Sequence, residues 1–171
     1  MKIKIFFLIF FIMSSTAFSN DKIAFIDLNY VFNNSSAGKK INTEIQNKSK
    51  KINLEFNEFQ KKIDSEKKNL LSQQNVLSKE EYNKKFTKLE NSVKEYNSII
   101  SKKNNELNTY KNKARVEFGK ELAKVLEKFS SENSISMIIK KENLLIGKSN
   151  LDVTKGILDL FDKDVKKITV K

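Results

Sequence analysis

Cysteine, histidine, proline and tryptophan are all missing from this 171-residue chain, glycine occurs 4 times, and Arg115 is the single arginine. Without cysteine there is no disulfide framework. Without cysteine and histidine together, nearly all transition-metal ligand sets are excluded, and the commonest general base is gone as well. No motif arranges the remaining Asp, Glu, Lys or Ser side chains for catalysis. Glu80 and Glu81 sit in a helix-start pattern, and Asp162 with Asp164 lies in a charged end, Asp162 to Lys171, that is expected to fray. Neither an enzymatic activity nor a cofactor is expected. The shortage of arginine removes the side chain that dominates bidentate reading of bases and phosphates. The absence of proline permits long, uninterrupted elements almost everywhere.

Long apolar runs are equally scarce, and the one present is at the N-terminus. Lys2 and Lys4 precede the unbroken run Ile5 to Met13, and Ser14-Ser-Thr-Ala-Phe-Ser19 follows. A basic start, an apolar core far shorter than the ~20 residues of a helical membrane span, and small residues at Ala17 and Ser19 form the pattern of a cleaved export signal. Residues 1–19 are therefore expected to be removed, and the mature chain to begin at Asn20 outside the cytoplasm. Losing Lys2 and Lys4 lowers the formal charge from +12 to +10, and the remaining length is that of one domain.

Beyond the signal, Lys22-Ile-Ala-Phe-Ile-Asp27 reads as a short buried strand, with a helical turn over Leu28 to Phe32. From Ala37 the apolar period becomes 3.5, the period of a coiled coil: Ile45, Ile52, Phe56, Phe59, Ile63 and Leu70 form a seam that Ser49 and Glu66 interrupt. A polar bend at Ser72 to Asn75 ends this helix. Ser78-Lys-Glu-Glu81 then has the form of a capping box. The helix it starts carries Tyr82, Phe86, Leu89, Val93, Tyr96, Ile100, Lys103, Leu107, Tyr110, Ala114 and Glu117, spaced alternately by four and three. Tyr82, Tyr96 and Tyr110 share one heptad position and are read as hairpin core. After Ala114 the apolar residues move to Phe118, Leu122, Val125 and Phe129, a stutter that locally unwinds a supercoil and implies a change of packing partner. Gly119 beside it is expected to act either as a hinge or as a site of close helix packing. Ile135 to Ile139 and Leu144 to Ile146 read as two strands joined by Lys140 to Asn143, which suggests a hairpin. Ser149-Asn-Leu-Asp152 signals a further helix, carrying Val153, Ile157, Leu160 and Phe161 on one face.

The expected fold is α+β and mostly α: a small β-rich body from residues 20–35 and 118–171, and a long antiparallel helical hairpin arm from residues 36–117 with its tip near 72–78. A body of that size seldom supplies a sufficient core without a disulfide, a metal or a partner. Self-association through Ile23, Phe25, Ile26, Ile135, Met137, Ile138, Ile139, Leu144, Leu145 and Ile146 is the route left.

Lys22 to Phe32, the helical hairpin, the strand from Ile135 and the closing Ser149-Asn-Leu-Asp-Val-Thr-Lys-Gly-Ile-Leu-Asp-Leu-Phe161 together resemble the Skp (OmpH-like) periplasmic chaperones over the whole mature chain. The resemblance implies a homotrimer whose arms enclose a cavity. It further implies an ATP-independent holdase that keeps unfolded outer-membrane β-barrel proteins from aggregating during transit to the outer membrane. One feature departs from the family: the basic cluster proposed there to bind lipopolysaccharide falls here on Ile99, Thr109 and Tyr110, so that site is not carried over.

Charge supports the chaperone reading independently. Residues 36–117 carry 19 basic and 11 acidic side chains, net +8, against +2 for the rest of the mature chain. Such a field attracts acidic chains and weakens with salt. Lys84, Lys85, Lys88, Lys102 and Lys103 are the candidate client-contacting cations, acting diffusely. Two other readings compete: a coiled-coil envelope spacer without a client, and a non-specific polyanion binder in contact with nucleic acid, anionic lipid or lipopolysaccharide. The export signal argues against nucleic acid as the partner in the cell.

The signal generates the first prediction. Protein recovered from the periplasm of an expressing cell should have the intact mass of a chain starting at Asn20, and a species retaining Met1 would remove the compartment assignment.

Overall fold

The computed structural model describes residues 22–170, so the signal segment lies outside the described residues. In chain order the elements are β1 (Lys22–Ile26), α1 (Leu28–Asn34), α2 (Ser36–Ser72), α3 (Lys79–Glu132), β2 (Ile135–Lys140), two single 3-10 turns (Lys141–Asn143 and Ser149–Leu151) and α4 (Thr154–Asp164). At 1.5 Å per residue, the 54-residue α3 is about 80 Å long and the 37-residue α2 about 55 Å. The surplus of α3 is its C-terminal part, which runs on into the compact end of the molecule.

That compact end is built on the stutter. Phe118, Leu122 and Val125 are buried there together with Ile26, Val31, Ala37, Ile41, Ile157, Phe161 and Val165. Phe118 is the hub: its ring meets Phe32 edge-on with centroids 4.8 Å apart, and Phe161 at 4.7 Å. Val31, Ile157 and Phe161 have no solvent exposure at all. Fully burying side chains of this size is worth about 1.5–3 kcal/mol each. Phe129, the last residue of the shifted stripe, packs against the same cluster.

Caps fix the junctions. The Asp27 carboxylate accepts from the Tyr30 backbone N–H (2.8 Å) and starts α1, and the buried Ser35 hydroxyl accepts from the Gly38 N–H (3.1 Å) and starts α2. The two helices are so close at this corner that a Cβ on Gly38 would lie 1.7 Å from the Phe32 carbonyl oxygen. Glycine is therefore required by the approach of backbone to backbone. Gly119 differs, since a Cβ there meets nothing within 4 Å. Close packing within the chain is not its reason.

Two expectations are corrected. Ile135–Lys140 does form a strand, but its partner is β1, in parallel register from Ile23 opposite Met137 to Ile26 opposite Lys140. Leu144 to Ile146 is not a strand. The Lys141–Asn143 turn, closed by the Leu144 N–H on the Lys141 carbonyl (3.0 Å), carries the chain away from β2. The other side of β1 is met by Asp152 and Val153, whose N–H donates to the Phe25 carbonyl (3.0 Å). A parallel pair needs a long crossover, and the whole helical hairpin supplies it.

The second correction concerns the end after α4, which does not fray as expected. Val165 is buried and Ile168 and Val170 pack on the core. The Asp162 carboxylate accepts from the Ser36 N–H at 2.8 Å, and Lys128 pairs with Asp164 at 2.7 Å, its ammonium holding the Asp164 carboxyl below the usual range.

The two glycines give opposite expectations. Gly38→Ala should lower stability by about 1–3 kcal/mol, because the corner must open. Gly119→Ala should raise it by up to about 1 kcal/mol, because only helix propensity changes. Urea unfolding followed by circular dichroism measures both.

Candidate functional site: the helical arm and its tip

Outside the compact end, α2 and α3 pack only on each other, and the seam that joins them changes character along its length. Near the body, Ile45 sits against the cluster that contains Ile41 and Ala114. In the middle, polar pairs flank the buried Leu107. The Tyr110 hydroxyl donates to Glu44, Lys48 lies over the Tyr110 ring 4.8 Å from its centroid, and Lys103 is ion-paired with Glu55. Between these and the tip, Phe59 and Tyr96 stack with centroids 3.5 Å apart and planes 10° from parallel. At the tip, Ile63, Leu70 and Leu89 are buried, with Phe59, Tyr82 and Val93 against them.

The bend is held by the capping box expected from the sequence and by a further bond across it. Ser78 and Glu81 form the full capping box, and the Lys85 ammonium donates to the Gln73 side-chain carbonyl at 2.7 Å. The Ser78 hydroxyl and backbone N–H hold the Glu81 carboxyl below the usual range.

The expected cations separate into two kinds. Lys84, Lys85, Lys88 and Lys102 are exposed, as a surface field requires. Lys103 is half-buried and committed to Glu55, whose carboxyl its ammonium holds low, so its geometry is that of a seam residue. Tyr82, Tyr96 and Tyr110 are all half-buried on the seam. Among the described residues, the buried Tyr96 hydroxyl is without a hydrogen-bond partner, and burial followed by the Glu55 charge raises its pKa.

The body residues also divide. Ala24, Phe25, Ile26 and Ile135 are buried within the chain, whereas Ile23 (46%), Met137 (55%), Leu145 (106%) and Ile146 (91%) are exposed. Ile138, Ile139 and Leu144 are half-buried.

One group was not legible as a surface. Leu71 is 64% exposed and Phe86, counted above as a seam residue, is 44% exposed; both lie beside the bend, where Val76 is also exposed. The two faces of the tip consequently differ. On one, a crevice of about 340 Å³ has Leu70 and Leu89 at its base beneath the polar side chains of Lys62, Glu66, Asn69, Gln73, Lys85, Lys88 and Ser92. On the other, a groove of about 480 Å³ is lined by Leu70, Leu71, Tyr82, Phe86, Leu89 and Val93, with Lys67, Lys94 and Glu90 at its rim. The adjacent pair Leu70-Leu71 was the available signal, since a seam that takes one leucine turns its neighbour outward.

No metal-ligating cluster occurs among the described residues, and no helix there is long and apolar enough to cross a membrane.

The polar middle of the seam gives a pH dependence. Burial, then the bond to Glu44, pushes the Tyr110 hydroxyl up to about 12 from its usual 10. A folded value above the unfolded one means the contribution is intact below pH 10 and is lost as pH rises through 12. Tyr110 should therefore ionise well above the usual tyrosine value in an absorbance titration that Tyr110→Phe shortens by one group, and the same variant should flatten the fall in urea stability across that window.

Comparison with known proteins adds to this geometry. No curated protein matches the chain in sequence. A crystal structure of a candidate outer membrane chaperone (OmpH-like) from Caulobacter crescentus superposes with a TM-score of 0.80, covering 87% of this chain and 88% of that one at 15% identity. At that identity the likeness establishes the fold, α+β with helical arms. The family described as Outer membrane protein (OmpH-like) matches residues 22–161, nearly everything from β1 to the buried Phe161 of α4. With its fold and the greater part of its sequence in agreement, the chain belongs to the OmpH-like outer membrane protein family.

Proposed function

We propose that the protein is an ATP-independent holdase of the periplasm, without enzymatic activity. In this reading it associates as a homotrimer and holds unfolded outer-membrane β-barrel proteins between its arms until they reach the outer membrane. The observation that carries the reading is the arm itself. A basic hairpin of about 55 Å stands clear of a small body, turns most of its apolar seam inward with Phe56 and Phe86 left exposed, and leaves most of its lysines in water.

Association is supported by the apolar side chains the body leaves uncovered. Ile23 and Met137 are opposite each other across the sheet and both exposed, and Leu145 and Ile146 project almost entirely into solvent. A second copy is the occupant that the family relationship implies, and Leu144, in extended backbone, suits strand-like pairing with a neighbouring subunit. Copies joined at their bodies leave the arms free. Their net +8 each then surrounds one space and concentrates acidic chains there. Each exposed lysine contributes at most about 1 kcal/mol to holding a client. Capture by many such contacts is reversible without an energy source, which is what transfer to an assembly site needs.

Sedimentation equilibrium of the mature chain should give the mass of three copies; a stable monomer would remove the reading. Reversing Lys84, Lys88 and Lys102 together to Glu should slow association with an unfolded barrel protein strongly at low salt and much less at high salt, with the assembly intact. Lys85 and Lys103 are left unchanged because their reversal breaks the bond to Gln73 that holds the bend and the seam pair with Glu55. Since the chain has no Trp, client Trp fluorescence reports binding without background. Unchanged association at low ionic strength would make the field incidental.

A further inference from the structure

The arm tip has one polar face and one apolar face, and the diffuse field does not account for the second. From the geometry we infer that the groove walled by Leu71 and Phe86 is a binding subsite for an apolar, preferentially aromatic, side chain of an extended polypeptide that carries a carboxylate nearby. The inference deepens the holdase reading and rests on it for the identity of the polypeptide.

Leu70 and Leu89 are buried and make the floor, Leu71 and Phe86 stand exposed as walls, and Tyr82 and Val93 close the ends. Two large apolar side chains held in water on one face of a helix pair are a loss unless something covers them. The volume of about 480 Å³ suits one or two side chains. Lys67 and Lys94 stand at the rim with no ion pair to any described residue, placed to meet an acidic neighbour of the inserted side chain. Glu90 at the same rim disfavours a second acid, which limits the charge density the site accepts.

The size and position of the groove decide among occupants. It spans Lys67 to Leu71 on α2 and Tyr82 to Lys94 on α3, far less surface than the roughly 800 Å² per partner of a stable interface between folded copies. Its far end at Lys94 is about 22 Å along α3 from the helix start, so a flat lipid surface touching the bend at Val76 covers the Leu71 end and leaves the Val93 and Lys94 end open. An extended chain can enter from the side. Strands of membrane barrels alternate outward apolar residues with polar ones and carry aromatic girdles. When unfolded, such a chain offers the required combination at every second residue.

The test uses the full mature protein and a fluorescein-labelled acidic peptide of alternating Phe and Asp residues, with a counterpart in which serine replaces phenylalanine. Fluorescence anisotropy should show the Phe peptide bound and the Ser peptide at least tenfold weaker, since burial of an aromatic ring is lost. The double variant Leu71→Ser with Phe86→Ser should weaken the Phe peptide by about tenfold or more. The control double variant Leu54→Ser with Ile99→Ser, which removes side chains 52% and 43% exposed elsewhere on the arm, should leave it unchanged. Thermal unfolding confirms that both variants fold.

Equal effects from the two double variants, or none from either, would overturn the subsite in favour of contacts spread along the arm. Loss of co-sedimentation with phosphatidylglycerol vesicles in the groove variant, with peptide binding unchanged, would overturn it in favour of lipid. A changed sedimentation mass in that variant would overturn it in favour of a contact between copies. Failure of the wild-type protein to keep an unfolded barrel protein soluble, with the peptide still bound at the groove, would remove the holdase reading and leave the subsite standing.

Discussion

Everything in this molecule depends on where the long helix changes partner. Phe118 is the first buried apolar residue after Ala114, and its ring is clasped by Phe32 from α1 and Phe161 from α4. That contact ties together the beginning, middle and end of the chain in one cluster, with Ile26 and Val31 supplied by the N-terminal segment and Ile157 by the C-terminal helix. The stutter is the sequence device that makes it possible. Two successive steps of four turn the apolar stripe away from α2 and toward the body. Without that turn, α3 would remain a partner of α2 alone and the body would have no backbone to assemble on.

The same division explains why the arm is both stable and available. Its apolar residues are used between α2 and α3, so nearly all its charge faces water, and the lysine excess becomes a property of the surrounding space instead of particular contacts. The polar middle of the seam, with Glu44, Lys48, Glu55 and Lys103 paired across it, costs cohesion relative to a fully apolar seam but fixes register, because each charge has one partner at one height. At the tip the balance reverses, since Leu71 and Phe86 are left to solvent although the buried trio beneath them already closes the hairpin.

The helices, the capping box at Ser78 and the stutter were legible in the sequence because each is a local pattern, set by side chains within a turn or two. Pairing of the strands was not. β1 and β2 are separated by more than a hundred residues, and nothing in Ile135 to Ile146 distinguishes a local hairpin from a distant parallel partner. The tail after α4 looked expendable because it is charged, yet Val165, Ile168 and Val170 alternate with lysines and bury themselves, while Asp162 caps a helix begun at residue 36. At the candidate site, the lysines could be named from the sequence, but the turn of Lys103 into a half-buried seam pair and of Phe86 out toward water is decided by how the two helices rotate about each other. The apolar body residues were all identified as one set. Which of them face inward within a single chain depends on the long-range pairing of β1.

The parallel pairing of β1 with β2 has a consequence for the order of events in time. β1 is among the first folded segments to be synthesised, and its partner β2 and much of its core come near the end of the chain. Contacts this distant in sequence are slow to form because a long loop must close first. The hairpin between them is made of local contacts and needs no such wait. A chain made N-terminus first can thus zip its arm while β1 waits for the final fifty or so residues. The apolar body, with the surfaces that would join one copy to another, exists only once synthesis is complete.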